Sequence, residues 1–160
     1  MQGQKGASWF GLIGLVAAIS MAAAPVSLAQ SESIALSHNF RPDPIKLGGS
    51  TGGNVSLASL AGIDANCRGF AQTQPNHVIT LNESFPLLDF LVYTGGINND
   101  PTMLIKGPGG IVVCADDESQ GRNPQISRRL LPGTYQVWVG SKDANQSFRY
   151  TLSLSEIRQR

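Results

Sequence analysis

Residues 102–115 read TMLIKGPGGIVVCA, two apolar runs on either side of a GPGG tetrapeptide. Short apolar runs that are joined by a glycine-bearing loop are typical of a β-hairpin. We therefore predict that residues 102–106 and 111–115 form neighbouring antiparallel strands.

Segments on both sides of this hairpin alternate between apolar and polar residues. Residues 134–139 follow Pro132-Gly133, which suits the two central positions of a type II turn. Residues 77–81, 86–93 and 147–155 also have the composition of strands, and no segment after residue 29 has a helical period. The sequence predicts an all-β fold, a single jelly-roll-like β-sandwich of about eight antiparallel strands.

The first 29 residues differ in composition from the rest. Lys5 precedes an uncharged run over residues 9–24, and small residues occupy Ser27 and Ala29. This pattern predicts a signal peptide over residues 1–29, with cleavage after Ala29. The alternative is an uncleaved anchor, because the uncharged stretch is just long enough to span a bilayer.

Three further expectations follow from cleavage. The protein is secreted or periplasmic, with no membrane insertion after cleavage. Residues 30–44 form an extended N-terminal arm, of which residues 30–37 are either loosely held or a first edge strand, and residues 45–160 form the β-sandwich domain. Cys67 and Cys114, the two cysteines of the chain, form a disulfide, since this is the usual state of paired cysteines in exported proteins.

Charge excludes some classes of partner. The chain has 12 Lys and Arg against 11 Asp and Glu, and removal of Lys5 leaves equal numbers. A neutral domain without a basic run argues against binding to nucleic acid or to an anionic membrane surface.

The order of motifs in the second half resembles a known family. Residues 102–119, then LPGTYQVWVGS at 131–141 and YTLSL at 150–154, are similar to the bacterial pre-peptidase C-terminal domain and its stand-alone secreted relatives. The resemblance covers roughly residues 88–154. It implies a jelly-roll-like β-sandwich that is a non-catalytic appendage of secreted hydrolases. It also implies roles in secretion or in substrate or matrix binding, and calcium binding in some members.

Acidic residues flank the predicted hairpin at one end. Asn98-Asn99-Asp100 precedes its first strand, and Asp116-Asp117-Glu118 follows its second. Carboxylate and amide oxygens are the ligands that calcium prefers, and the family resemblance independently implies a calcium position in the turn after this strand. We predict a calcium site formed by Asp100, Asp116 and Asp117, with Asn99 and Glu118 as helpers. The alternative is a solvated turn whose side chains bond their own backbone.

A second candidate site is aromatic. Trp138 lies on the strand face opposite Tyr135 and Val137, so it points outward if those residues face the core. Beside Tyr93 and Arg128 it is expected to form a platform for a sugar ring or for a protein partner. The alternative is that Trp138 packs under a loop.

Other polar residues receive no functional role from the sequence. Asp89 is expected on the solvated face of its strand and His77 at a surface or edge position, while His38 lies in the arm. Residues 48–52 match the G-x-S-x-G pattern of hydrolases, but a strand rather than a helix is predicted to follow, so the match is attributed to chance.

Three functions are compatible with these features. The first is a non-catalytic exported binding or accessory module that contacts a protein or polysaccharide at the cell envelope or outside the cell. The second is a structural envelope protein without a dedicated ligand. A small secreted hydrolase or inhibitor ranks last, because no nucleophile and base can be paired.

Overall fold

The computed structural model describes Gly3 and residues 31–62, 66–119 and 121–160. Apart from Gly3, the predicted signal peptide and its cleavage site lie outside the described residues. Within these ranges, no helix combines the length and the hydrophobicity that a membrane span requires.

Two sheets and one short helix make up the described structure. The strands are β1 (Glu32–Leu36), β2 (Ile45–Ser50), β3 (Val55–Ser56), β4 (Phe70–Ala71), β5 (His77–Leu81), β6 (Phe85–Thr94), β7 (Pro101–Lys106), β8 (Val112–Ala115), β9 (Gln125–Leu130), β10 (Gly133–Ser141) and β11 (Arg149–Ser155), and the helix is α1 (Leu57–Ala61). One sheet has seven strands, and the other has four in the order β2-β11-β6-β9. The predicted β-sandwich is confirmed.

The strand count and one pairing differ from the prediction. The described residues form eleven strands rather than about eight, because β3 and β4 are only two residues long. β1 comes from the predicted arm and pairs with β5 in parallel, while the other described strand pairs are antiparallel. The edge-strand alternative for the start of the arm is therefore the one that the structure adopts.

The predicted hairpin is present as β7 and β8. Met103 pairs with Ala115 and Lys106 with Val112, and residues 108–110 form the turn between the strands. A Cβ atom on Gly107 would lie 2.3 Å from the ring of Tyr135, so only glycine fits against that side chain. The turn is thus held against β10 as well as between its own strands.

The main core fills the space between the two sheets. The four-stranded sheet contributes alternate residues of β6 and β11, including Phe90, Val92 and Leu152, which are fully buried. The seven-stranded sheet contributes alternate residues of β5, β7 and β10, including Val137 and Val139. Burial of alternate residues in both sheets explains the period-two pattern of the sequence.

A second, smaller core lies on the outer face of the seven-stranded sheet. α1 covers this face and buries a cluster that consists of Leu57, Ala61, Cys67, Ala71, Leu104 and Trp138. The strand that was predicted to follow residues 48–52 is only two residues long, because β3 ends at Ser56 and α1 begins at the next residue. A single helical turn is too short to show a helical period, so the sequence pattern did not reveal it.

Trp138 is buried in this second core, with 5% of its surface exposed. Its indole Nε1 donates a hydrogen bond to the carbonyl oxygen of Thr73 at 3.2 Å. The prediction of an exposed Trp138 platform is therefore wrong, and the alternative, packing beneath a covering segment, is the one observed. Alternation correctly placed the residue on the outer face, but α1 covers that face.

The predicted disulfide links Cys67 to Cys114, whose Cα atoms are 5.4 Å apart. It connects the segment before β4 to β8 and lies beside the second core. Closing a loop of 47 positions contributes about 4 kcal/mol to the free energy of unfolding on the chain-entropy model.

Asp89 is also buried, contrary to the expectation of a solvated position. The carboxylate accepts hydrogen bonds from the Gln125 side chain at 3.0 and 3.1 Å, from the Ser127 hydroxyl, and from the backbone N–H of Gln159 at 2.9 Å. Gln159 belongs to the C-terminal segment, which therefore covers this part of the outer face of the four-stranded sheet. Hydrogen bonds from neutral donors satisfy the buried carboxylate.

His38, in the segment that was predicted as the N-terminal arm, contacts two other segments. Its Nδ1 lies 2.8 Å from a Glu156 carboxylate oxygen, and its Nε2 lies 2.6 Å from the Ser84 carbonyl oxygen. The hydrogen bond with Glu156, followed by that with Ser84, raises the pKa of His38. Both acceptors favour the imidazolium form, because it carries a proton on each nitrogen.

His77 connects the two sheets inside the core. Only 1% of its surface is exposed, and its Nε2 lies 2.8 Å from the Tyr150 hydroxyl on β11. The expectation of a surface or edge position is wrong for the side chain. Burial lowers the pKa of His77 to about 4 and raises the pKa of Tyr150. The Glu32 carboxylate lies 3.8 Å from His77 Nδ1 but faces a neutral ring at neutral pH.

Replacement of Trp138 tests the second core. Trp138→Ala is expected to lower the free energy of unfolding by about 3–5 kcal/mol, because it leaves a large cavity under α1. Urea denaturation followed by circular dichroism measures this change. Trp138→Phe is the control and should cost less, and a loss below about 1 kcal/mol for the alanine variant would show that the indole is not buried.

Burial of His77 should make the stability of the fold sensitive to acid. The unfolded chain binds a proton on His77 near pH 6.5, whereas the folded chain binds it only near pH 4. Stability should therefore fall as the pH is lowered, by roughly 1.5 kcal/mol between pH 6.5 and about pH 5. His38, whose pKa is raised, acts in the opposite direction and above pH 6.5.

Urea denaturation of the protein and of His77→Gln at several pH values measures this effect. The free energy of unfolding of the variant should no longer fall between pH 6.5 and about pH 5, since carboxylates titrate mainly below that range. An equal slope in both proteins would contradict the assignment to His77.

Candidate functional site

The carboxylates of Asp100, Asp116 and Asp117 converge at one end of the β7–β8 hairpin. One oxygen of each lies within 4.8 Å of the others. The strand register explains this arrangement: Met103 pairs with Ala115, so the residues after β8 run beside those before β7. These are the three residues that the sequence singled out as the main calcium ligands.

Asp100 is the innermost member of this acidic cluster, with 5% of its surface exposed. Its Oδ2 lies 3.4 Å from Lys142 Nζ and 3.6 Å from Arg122 Nη1. Its Oδ1 is buried and has no hydrogen-bond partner in the described structure. One oxygen of the carboxylate is therefore close to two cations, while the other is buried without a donor.

Asp116 has a similar unsatisfied oxygen. Its Oδ1 is buried without a hydrogen-bond partner among the described residues. Burial, followed by the charges of Asp117, Asp100 and Glu118, raises the pKa of Asp116. Leaving a buried carboxylate oxygen without a donor is costly, and a bound cation would remove that cost.

Glu118 and Asn99, the two predicted helpers, are engaged with their own turns. Glu118 Oε2 accepts a hydrogen bond from the backbone N–H of Asp116 at 2.7 Å. The Asn99 side chain lies against Gly96, where an added Cβ would come within 2.6 Å of its Nδ2. For Glu118 the alternative of a side chain that bonds its own turn is the arrangement observed. This residue therefore supports the backbone of the acidic turn at Asp116.

The surroundings of the acidic cluster make it accessible. A cleft of about 310 Å³ is bordered by Asn66, Arg68, Cys114, Ala115, Asp116, Asp117 and Glu118. Cys114 forms part of its wall, and its disulfide with Cys67 holds the segment with Arg68 beside the acidic turn. A small solute can therefore reach the carboxylates of Asp116 and Asp117 from solvent.

Sequence reasoning missed the cations that face Asp100. Ser141 on β10 pairs with Pro101 on β7, so the next residue in each direction, Lys142 and Asp100, also meets its partner. The backbone N–H of Lys142 donates to the Asp100 carbonyl oxygen at 2.9 Å. A register for β7 and β10 would have revealed this neighbour, but alternation alone does not supply a register.

Tyr93 and Arg128 do not join Trp138. Tyr93 is half-buried on the outer face of the four-stranded sheet, Arg128 is exposed on its edge strand β9, and Trp138 is buried on the outer face of the seven-stranded sheet. The predicted three-residue binding platform is therefore wrong, because Trp138 is buried under α1 on the seven-stranded sheet, while Tyr93 and Arg128 belong to the four-stranded sheet. Tyr93 by itself remains accessible to a ligand.

The residues of the G-x-S-x-G match, 48–52, are not arranged as in a hydrolase. Ser50 is the last residue of β2, and the next element is the strand β3 rather than a helix. His77 is hydrogen-bonded to Tyr150 inside the core. The arrangement agrees with the interpretation of the match as chance.

The strand arrangement of this chain is similar to that of solved structures, although no protein-family model and no curated protein sequence matches the chain. One similar structure is the pre-peptidase C-terminal domain of collagenase from Bacillus anthracis, with 15% identity, a TM-score of 0.46 and coverage of 79% of this chain and 97% of that chain.

A second similar structure is Aeromonas hydrophila PliG, a periplasmic lysozyme inhibitor of g-type lysozyme. It has 13% identity and a TM-score of 0.38, and the alignment covers 79% of this chain and 98% of that chain. These similarities concern the arrangement of strands and carry no ligand or activity to this chain.

Proposed function

We propose that this chain is an exported, non-catalytic β-sandwich module that binds a protein or polysaccharide at the cell envelope or outside the cell, and that calcium stabilises one end of it. The observation that carries the proposal is the meeting of three carboxylates, two of which keep a buried oxygen without a donor among the described residues. Hard oxygen ligands in this number suit calcium, with water completing its coordination.

The charges around the acidic cluster are compatible with a divalent cation. Lys142 and Arg122 approach Oδ2 of Asp100, so Oδ1 can bind the ion together with Asp116 and Asp117. Three carboxylates so close together repel one another when they are ionised, which is one reason for the raised pKa of Asp116. A bound calcium ion would replace this repulsion with attraction.

The proposed effect of calcium is mechanical. The acidic cluster joins the ends of β7 and β8, and the Asp100 contact with Lys142 joins β10 to the same point. An ion held there would fix the relative positions of these three strand ends. The supporting evidence for export is the disulfide together with the pattern of the first 29 residues.

Calcium titration with the matched variants Asp117→Asn and Asp143→Asn tests this proposal. Calcium should raise the free energy of unfolding, by about 2.7 kcal/mol when free calcium is about 100 times Kd. Asp117 is exposed, so its replacement should leave the fold intact. Without calcium, Asp117→Asn should be more stable than the parent because carboxylate repulsion is relieved. With calcium it should be less stable, and its Kd should rise.

Asp143→Asn removes the same charge from an exposed position outside the acidic cluster, and it should leave the calcium response unchanged. Isothermal titration calorimetry gives Kd, and thermal denaturation in EDTA and in calcium gives the two stabilities. If calorimetry detects no heat of calcium binding, or if calcium changes the stability of both variants equally, the proposed site is contradicted.

A further inference from the structure

The outer face of the four-stranded sheet carries a long open groove around Tyr93. A recess of about 700 Å³ lies on one side of this residue, bordered by β2, β11 and the end of β6. Another, of about 310 Å³, lies on its other side, between β2 and the C-terminal segment. Tyr93 borders both recesses, so they form one groove, here called the Tyr93 groove.

Glycines and hydroxyl side chains form the floor of the Tyr93 groove. Thr151 on β11 pairs with Gly48 on one side and with Tyr93 on the other, which places the three residues in one row across the sheet. Ser50 and Thr94 lie nearby. The Tyr93 ring is therefore an apolar surface among hydroxyl groups and exposed backbone.

Packing does not explain the glycine at position 48. A Cβ atom there would meet nothing within 4 Å, and its φ is not in the left-handed region. Glycine inside a strand weakens that strand, and it often marks a place where a ligand approaches the backbone closely. A Cβ atom on Gly95, at the other rim, would likewise lie in open space.

The charged side chains that border the Tyr93 groove have one sign. Lys46 and Arg149 are exposed on its two sides and form no ion pair within the described residues. None of the described residues that border the two recesses is an Asp or Glu. In a chain with nearly equal numbers of cations and anions, this local excess favours an anionic ligand.

The spacing of the two cations suits an extended polymer. Lys46 pairs with Ser153 and Arg149 with Ser50, so the cations are four residues apart along β11, which is about 13 Å. The Tyr93 row lies midway between them. A chain that runs along the strands and rests on Tyr93 would therefore meet one cation about 7 Å away in each direction.

The absence of exposed apolar side chains argues against a protein as the occupant. The large exposed hydrophobic residues of the described structure are Ile97, Leu131 and Ile157, and none of them borders the two recesses. Protein-binding sites usually centre on buried apolar anchors. A shallow groove with one aromatic ring, hydroxyl groups and separated cations instead matches a flexible sugar polymer that carries carboxylates.

We infer that the Tyr93 groove binds an acidic polysaccharide, with a sugar ring on Tyr93 and carboxylates on Lys46 and Arg149. This inference rests on the proposed function, since it names the ligand class of the binding module. Arg149 can hold a carboxylate through two parallel hydrogen bonds, and Lys46 acts as a point charge. The site is distinct from the acidic cluster, which lies at the end of the β7–β8 hairpin.

Affinity electrophoresis with the full chain tests this inference. Native gels contain polygalacturonate, neutral dextran or poly-glutamate, and each is run with calcium and with EDTA. The protein should be retarded by polygalacturonate alone, and less so as the salt concentration rises. Retardation by dextran or by poly-glutamate to the same degree would overturn the inference in favour of a neutral sugar or an acidic protein, as would no retardation in any gel.

Variants locate the site. Lys46→Gln with Arg149→Gln, and separately Tyr93→Ala, should weaken binding about tenfold or more. Gly48→Gln should have a similar effect by filling the groove, and its side chain has open space, so it should not disturb the fold. Lys106→Gln removes one positive charge from the seven-stranded sheet and should bind like the parent.

Thermal denaturation of each variant separates loss of the site from loss of the fold. If the parent binds polygalacturonate and all groove variants bind equally well, the inference is wrong while the binding module stands. If calcium titration fails but the groove variants lose binding, the calcium proposal is wrong while the inference stands.

Discussion

The pairing of β7 with β10 is the constraint on which most of the structure depends. β7 lies between β10 and β8, and its two faces serve different cores. Met103 and Ile105 point into the space between the sheets, and Leu104 points into the second core under α1. The same register places Asp100 beside Lys142 and near the acidic turn that follows β8. A shift of one residue would exchange the two faces and disperse the cluster.

The polar groups of the interior divide into those that are satisfied and those that are not. Asp89 has donors from Gln125, Ser127 and Gln159, so its burial has a structural explanation. Asp100 and Asp116 each retain an oxygen without one among the described residues. Other described residues also keep a buried polar atom without a partner, namely Asp43, His77, Thr102 and Gln146. What distinguishes Asp100 and Asp116 is that their carboxylates lie together, with Asp117 as a third.

The two outer faces of the sandwich are covered to different extents. α1 buries the outer face of the seven-stranded sheet around Trp138. On the four-stranded sheet the C-terminal segment covers Asp89 but leaves Tyr93 open. Trp138, on the outer face of one sheet, is therefore part of a core, whereas Tyr93, on the outer face of the other, is accessible. Only Tyr93 can meet a ligand from solvent.

The sequence by itself determined the all-β class, the hairpin and the identity of the three converging aspartates, because alternation, turn residues and the meeting ends of neighbouring strands are nearly local features of the chain. The disulfide followed from the number of cysteines and the expected export. Only the tertiary structure decided what covers each outer face, since alternation does not state whether the outer side of a strand meets solvent, a helix or the C-terminal segment. For this reason the sequence misplaced Trp138 and Asp89. His77 was misplaced for a different reason, since its side chain lies between the two sheets and meets Tyr150 of the opposite sheet. The burial of all three residues results from contacts between residues far apart in the chain, such as that of Trp138 with Thr73 and that of His77 with Tyr150.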